Sequence, residues 1–444
     1  MKIRNVSPLE LCDKAGLTDK SLRNYRKGIQ YPSLHNLVAL AKALSPLTVE
    51  QLENPEAFSD LMFQLAVKFD ELTFEQVCAV LSEADNYLLK FVRSLSLKDY
   101  DVIKRGYADL LTGELERKGL DIAGFLNRIH KAKFIQRMLD TLPTEPPLVI
   151  AVESNFERVD FKHKDRVVLP VPDAELLWDC CCPGRGEKSP DCKIHSHPMA
   201  GLVSKLFRNG LVQIEWRGLK FLWRWSPVLW PPSVDAFFLM SCLESRGLTK
   251  ADVSSVLDIG SGTGFLGIAL AKLNPAVRTV VLSDWLLTPA LFGQLNWRIN
   301  APQTNAATVT SRVSMHTDPP DAPFDLVVCN PPYLPKLAGC EDIGLESTVF
   351  GTDLLEHVIQ NAKALGKRVL VQYSQIAHDQ AKRAANAVGA MLDLVDSKQN
   401  VPFRVPHALD HLKYIESLIA ERHLKRSKCK GHRYLHELRT YEVI

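Results

Sequence analysis

No apolar stretch of this 444-residue chain reaches the roughly 18 uncharged residues that a membrane-spanning helix needs, and residues 1–10 lack an apolar leader core. These absences predict a cytoplasmic protein with no membrane contact. Cysteine is sparse, 10 residues in 444. That is too few for a disulfide scaffold, so mostly reduced thiols are expected. Charge of one sign is also lacking: 54 Lys plus Arg face 51 Asp plus Glu, a formal net charge of +3. No global field then drives the chain onto nucleic acid or an anionic membrane, and any basic footprint must be local.

What is present is an ordinary folding composition, 46% hydrophobic and 24% charged. At roughly 150 residues per domain the length predicts two to four units. We read residues 1–50 and 51–147 as helical, 148–234 as a strand-rich substrate or accessory unit, and 235–444 as a final α/β unit. The proline-rich run Thr141-Leu142-Pro143-Thr144-Glu145-Pro146-Pro147 is the linker. Within residues 7–44, apolar positions at helical spacing fit three short helices, broken at Ala15-Gly16-Leu17-Thr18 and after Gly28. Followed by Ser21-Leu22-Arg23-Asn24-Tyr25-Arg26-Lys27-Gly28, this stretch resembles the repressor-type helix-turn-helix. The resemblance implies DNA contact by a helix starting near Lys20, with Ser21, Arg23, Asn24 and Arg26 toward the major groove. Only six residues precede Ser7 where that family has a full helix. A small helical packing or protein-binding module with a solvated basic face accounts for the same pattern.

Strands are expected at residues 148–152, 166–171 and 211–225. Phe221, Trp223 and Trp225 alternate with Leu222 and Arg224, so one sheet face is aromatic, as a packed core more than a base-stacking platform. Between these strands Cys180, Cys181, Cys182, Cys192, His195 and His197 crowd together. Cys192 and His195 would make one zinc pair, but the other would come from adjacent cysteines whose side chains diverge. We therefore expect a loop of reduced thiols and no metal.

Val256-Leu257-Asp258-Ile259 is a short apolar strand that runs into Gly260-Ser261-Gly262-Thr263-Gly264 and an apolar helix over residues 265–273. Glycines serve where the chain turns with positive φ and where a ligand approaches the backbone closely. Gly262, Gly264 and Gly267 also satisfy the dinucleotide pattern G-x-G-x-x-G. Asp258, set before the first glycine where it can meet a cationic amino group, and the wider Asp-x-Gly-x-Gly-x-Gly spacing suit S-adenosyl-L-methionine better than NAD. Asp284 ends a second apolar strand about 20 residues on, where an acid can accept from ribose hydroxyls. Asn296 follows on the next helix, and Asp318 lies in a loop where it could read an adenine amino group. The expected cofactor residues are thus Asp258, Gly260, Ser261, Gly262, Gly264, Asp284, Asp318 and Asn330.

Phe324-Asp325-Leu326-Val327-Val328-Cys329 reads as a buried strand that delivers Asn330-Pro331-Pro332-Tyr333 onto its carboxyl end. With the glycine turn upstream, the chain from about Trp230 onward resembles the class I S-adenosylmethionine-dependent methyltransferases that carry the N-P-P-Y tetrapeptide. The resemblance implies a doubly wound, seven-stranded, mostly parallel sheet and methylation of a planar nitrogen, with Asn330, Pro331, Pro332 and Tyr333 catalytic. A planar nitrogen has its lone pair delocalised. Two acceptors, the Asn330 side-chain oxygen and the Pro331 carbonyl, would tilt it toward tetrahedral. Two prolines supply no N–H, and Tyr333 would stack on the planar group.

Residues 228–239 are similar to the segment preceding the cofactor strand in release-factor-type protein-glutamine methyltransferases. Residues 345–355 keep only Gly351 and Asp353 of the loop that follows the tetrapeptide there. Near the end, Arg422, Lys425, Arg426, Lys428, Lys430 and Arg433 form a basic stretch, expected as a loop before a last strand over residues 434–443. The expected partner is a translation-related protein with an accessible glutamine, or else RNA or DNA presenting an amino base. A reading of another class is a DNA-binding regulator whose cofactor domain is inactive or sensing.

Overall fold

The structure, a computed structural model, describes Lys20 and residues 133–140, 142, 147–152, 158–162, 166–170, 211–224, 232, 234–284, 287–301, 307–313, 322–333, 352–403, 412–426 and 434–444. The helix-turn-helix contacts Ser21, Arg23, Asn24 and Arg26, the cysteine cluster, Asp318, Trp225 and residues 345–351 lie outside the described residues. Two compact units divide the chain, residues 1–138 with 182–187 and residues 139–181 with 188–444. Helix α1 (Lys133–Asp140) lies at that division in the sequence, and the elements below belong to the second unit. Among the described residues no helix is long and apolar enough to cross a membrane.

A five-stranded sheet comes first: β1 (Leu148–Val152), β2 (Arg158–Lys162), β3 (Arg166–Pro170), β4 (Leu211–Trp216) and β5 (Leu219–Arg224), in the order β3-β2-β1-β4-β5. Only the β1–β4 pairing is parallel. The single strand expected over 211–225 is instead a hairpin. Trp216 pairs with Leu219, and Arg217 and Gly218 turn the chain with φ of 45° and 81°, the double positive φ that two-residue hairpins favour. β2 is a strand that the expected set lacked, although Arg158-Val-Asp-Phe-Lys162 alternates charged and apolar residues with the period of a strand.

The larger sheet contains β6 (Ser255–Ile259), β7 (Thr279–Asp284), β8 (Thr308–Val313), β9 (Leu326–Cys329), β10 (Val369–Ser374), β11 (Leu392–Pro402), β12 (Lys425–Arg426) and β13 (Tyr434–Val443). Seven strands lie in one row, β11-β13-β10-β9-β6-β7-β8, and β12 pairs with β13 as an eighth. Neighbours from β8 through β10 are parallel, and β13 runs against β10, β11 and β12. The sheet is therefore mostly parallel, with eight strands where seven are expected. The addition arises because part of the basic stretch expected as loop pairs with the start of β13.

Both faces are covered, as parallel strands require. Along β6, Val256 packs into a core with α2 (Val234–Ser245) and α3 (Phe265–Leu273), while Leu257 and Ile259 join a core with α5 (Asp353–Gln360), α6 (Ala362–Leu365) and α7 (His378–Ala387). The five-stranded sheet shares the first of these cores. Its buried row Val212, Ile214, Trp216, Leu219, Phe221 and Trp223 meets α3 through Phe221 on Phe265, centroids 5.0 Å apart, and α2 through Trp216 on Phe237 at 6.1 Å. Phe221 and Trp223 thus act as sheet core. Strand β5 is an edge, and α4 (Leu287–Asn300) satisfies two of its outward amides: Leu222 N–H donates to Asn300 Oδ1 (2.8 Å) and Arg224 N–H to Asn296 Oδ1 (3.0 Å).

The chain leaves β6 toward β7 and β8, then returns to β9 on the other side of β6. The crevice of such a sheet opens at this reversal, beyond the carboxyl ends of the strands. Phe221 is fully buried against two other aromatic rings, those of Trp223 and Phe265. Phe221→Ala should lower the unfolding free energy by about 3–5 kcal/mol in urea titrations, whereas the exposed Lys220→Ala should stay within about 0.5 kcal/mol of the parent.

Candidate active site

The glycine turn is held by the end of β7. Gly260 and Ser261 N–H both donate to the Ser283 carbonyl (2.8 and 3.1 Å), and Gly262 N–H donates to Asp284 Oδ2 (3.1 Å). Gly264 stands before α3 with φ 79°, and a Cβ there would lie 2.9 Å from Leu282 Cδ1 and 3.3 Å from the Gly293 backbone. Both conformation and space demand glycine. At Gly262 the reason differs: φ is 52° but no described residue lies within 4 Å of a built Cβ, so conformation and not space asks for glycine. The third element of the pattern, Gly267, lets α3 approach β7, since a Cβ there would sit 2.7 Å from Leu282. The Thr263 carbonyl accepts from Asn296 Nδ2 at 2.9 Å. Buried Asn296 therefore ties this turn to β5, a role its sequence position did not reveal.

Asp258 sits beneath the turn with 1% of its surface exposed. Its Oδ2 accepts from Gly267 N–H at 2.9 Å. Its Oδ1, and the hydroxyl of Ser261, are buried without a hydrogen-bond partner among the described residues. Burial pushes the Asp258 carboxyl up to about 7; the Gly267 N–H works against this and the nearby Asp284 carboxylate adds to it. Asp284 is itself buried at the end of β7. Two orphaned polar atoms beside the glycine backbone fit a polar ligand at this turn.

Because Ile259 and Cys329 are paired in register on β6 and β9, Gly260 and Asn330 emerge side by side at the carboxyl ends of adjacent strands. Pro331 is buried, while Asn330, Pro332 and Tyr333 are partly exposed. The Asn330 Oδ1 accepts from Gln372 Nε2 (3.2 Å), which also donates to the Asp235 carbonyl (2.7 Å); Gln372 Oε1 accepts from Thr440 Oγ1 (3.0 Å). Tyr333 donates its hydroxyl to Asp235 Oδ2 (3.2 Å), and its ring lies 5.9 Å from that of His436. Sequence reasoning missed Gln372, Thr440 and His436. Gln372 left one trace, an amide inside the otherwise apolar run Val369-Leu370-Val371 of a buried strand.

Of the expected site residues, the structure thus gathers Asp258, Gly260, Ser261, Gly262, Gly264, Asp284 and Asn330 around the switch point, with Pro331, Pro332 and Tyr333 beside it. Asp318 lies outside the described residues. Asp353 begins α5, whose Leu354 approaches Gly260 at 3.5 Å from a built Cβ. Since the Asp258 carboxyl is raised from 3.8 to about 7, the folded chain holds a proton there that the unfolded chain releases. That contribution to stability is complete below about pH 4 and is lost as pH rises through about 7. Urea titrations between pH 5 and 8 should show Asp258→Asn losing less stability than the parent, by up to about 3 kcal/mol; equal slopes would contradict the assignment.

Residues 235–365 match the family model described as the methyltransferase small domain. Among characterised proteins, the chain is 32% identical over 103 residues to a release factor glutamine methyltransferase of Chlorobaculum tepidum, covering 22% of this chain and 33% of that protein. It is 29% identical over 178 residues to a tRNA1(Val) (adenine(37)-N6)-methyltransferase of Shewanella woodyi, covering 37% of this chain and 71% of that one. The chain therefore spans only about a third of the first relative's length. Among solved structures, a ribosomal protein L11 methylase from Lactobacillus delbrueckii subsp. bulgaricus aligns at a TM-score of 0.30 and 14% identity, over 49% of this chain and 80% of that chain. Residues 235–365, which are similar to the methyltransferase small domain, hold the glycine turn and Asn330 to Tyr333.

Proposed function

We propose that this chain is an S-adenosylmethionine-dependent N-methyltransferase whose acceptor is a planar nitrogen, first of all the side-chain amide of a glutamine in a translation-related protein. The observation that carries the reading is the Asn330 oxygen held on the tip of β9, next in register to the glycine turn. The turn suits this cofactor: Oδ1 of Asp258 has no hydrogen-bond partner among the described residues, Asp284 ends β7 where ribose hydroxyls are accepted, and at Gly262 a Cβ would meet no described residue. When bound, S-adenosylmethionine supplies a methyl group on positively charged sulfur, so the acceptor needs no strong base on the protein.

The chain's own task is to make a sluggish nitrogen nucleophilic. With Asn330 Oδ1 and the Pro331 carbonyl both accepting from the NH2 group, the nitrogen leaves the plane and its lone pair becomes available. The same contacts strengthen as positive charge builds on nitrogen. Tyr333, tethered through its hydroxyl to Asp235, offers its ring to the planar group. The proton leaves after transfer, when the nitrogen is most acidic.

A second acceptor, the amino group of an RNA or DNA base, is favoured by one observation. Residues 421–433 hold six Lys or Arg against one acid, more positive charge than the +3 of the whole chain. Lys425 and Arg426 are exposed on β12, and the adjoining Leu424 and Tyr434 pack in the cluster that Tyr333 joins. Such a rim can contact phosphates.

Transfer of tritiated methyl groups into cell extract, with protease and nuclease controls, tests the reading and separates the acceptors. Asn330→Ala should cut transfer by about 10²- to 10³-fold while calorimetry finds S-adenosylmethionine still bound. Full transfer by that variant would overturn the mechanism. For a nuclease-sensitive acceptor, Lys425→Ala with Arg426→Ala should reduce the salt slope of binding by roughly one unit per lost phosphate contact.

A further inference from the structure

We infer that Gln372 is a positioning residue that decides which end of the Asn330 carboxamide faces the acceptor; the inference rests on the methyltransferase reading above. The argument starts from an atom that can only accept. The Asp235 backbone carbonyl lies 2.7 Å from one terminal atom of Gln372. Two oxygens at that distance would repel, so this atom is the amide nitrogen. The same nitrogen lies 3.2 Å from a terminal atom of Asn330. Having hydrogens to give and no lone pair to offer, it requires an oxygen there. The other end of Gln372 agrees, since its oxygen takes the Thr440 hydroxyl at 3.0 Å.

Topology explains why these groups meet. Val371 pairs with Cys329, and Gln372 pairs with Thr440, so Gln372 stands between β13 and the residue that follows β9. Gln372 and Thr440 are fully buried. Water therefore cannot replace a broken bond, and turning either amide leaves a buried donor or acceptor unmet. The Asn330 oxygen has two lone pairs. Gln372 occupies one and so aims the other at the cleft, where the acceptor NH2 must find an acceptor and not a second NH2. Without Gln372 both orientations of the Asn330 amide find comparable partners, and the reversed one sets donor against donor.

The test compares wild type, Gln372→Leu and Gln372→Glu as full-length chains, using tritiated methyl transfer into the protease- or nuclease-sensitive fraction of cell extract. Gln372→Leu should transfer about 10- to 100-fold more slowly at saturating extract, with unchanged affinity for S-adenosylmethionine. In Gln372→Glu the ionised carboxylate faces two acceptors and turns Asn330 around, so transfer is low at pH 8. As pH falls the carboxyl gains one hydrogen, which can go to Asn330 Oδ1 or to the Asp235 carbonyl, so transfer recovers part of the way, a pH rescue that wild type and Gln372→Leu do not show. Wild-type rates in both variants, or a slow Gln372→Glu without that rescue, would overturn the inference. Should Gln372→Leu fail to fold, the Gln372→Glu profile decides alone. An arm that needs no acceptor follows the Asn330 side-chain amide signals by NMR, assigned by their loss in Asn330→Asp. They should move in Gln372→Glu between pH 8 and pH 6, and an unchanged signal overturns the inference. If wild type methylates nothing in the extract, the methyltransferase reading falls, and the NMR arm still judges the relay.

Discussion

The site depends on the register between β6 and β9. Ile259 opposite Cys329 means that two strands end together and that Gly260 and Asn330 leave the sheet as neighbours. Parallel strands make this arrangement possible because all their carboxyl ends lie at one edge, where the order reverses and two connecting loops diverge. A shift of one residue would exchange the buried faces of β9 and carry Asn330 away from the glycine turn. The four buried residues of β9, sealed between two cores, hold the register in place.

Around that edge the polar groups are few, buried and mostly tied to backbone. The Ser283 carbonyl, the Asp284 carboxylate and the Asn296 amide each hold one part of the glycine turn. Burial strengthens these bonds and also raises the cost of any unmet group. The partnerless oxygen of Asp258, with its carboxyl raised to about 7, is the visible consequence on the cofactor side. On the other side Gln372, Thr440 and Asp235 form the matching arrangement around Asn330 and Tyr333. The paired ends of β6 and β9 bring the two sets together.

The smaller sheet is not a detached appendage. Its aromatic face packs on α2 and α3, and its edge strand β5 is completed by Asn296 and Asn300 of α4. Since Asn296 also holds the Thr263 carbonyl, one buried side chain connects the accessory sheet to the glycine turn. This gives the strand-rich segment a direct physical route to the mouth of the crevice.

Much of this was legible in the residues themselves. The run Val256 to Gly264 announces strand, turn and helix, because apolar periodicity and glycines that need positive φ are local properties; Asn330-Pro-Pro-Tyr333 after an apolar strand is local in the same sense. Other features had no local signature. Lys425-Arg426 becomes a strand only because β13 starts beside it. Gln372, Thr440 and Asp235 lie far apart in the chain and gain meaning when β10 and β13 pair and α2 packs against them. Sequence by itself determined which segments turn, which are apolar and where the chemistry-bearing tetrapeptide stands, since backbone sterics and side-chain polarity act residue by residue. Only the tertiary structure decided which distant donor faces which acceptor, because a hydrogen bond between buried side chains depends on strand register that no short stretch of chain encodes.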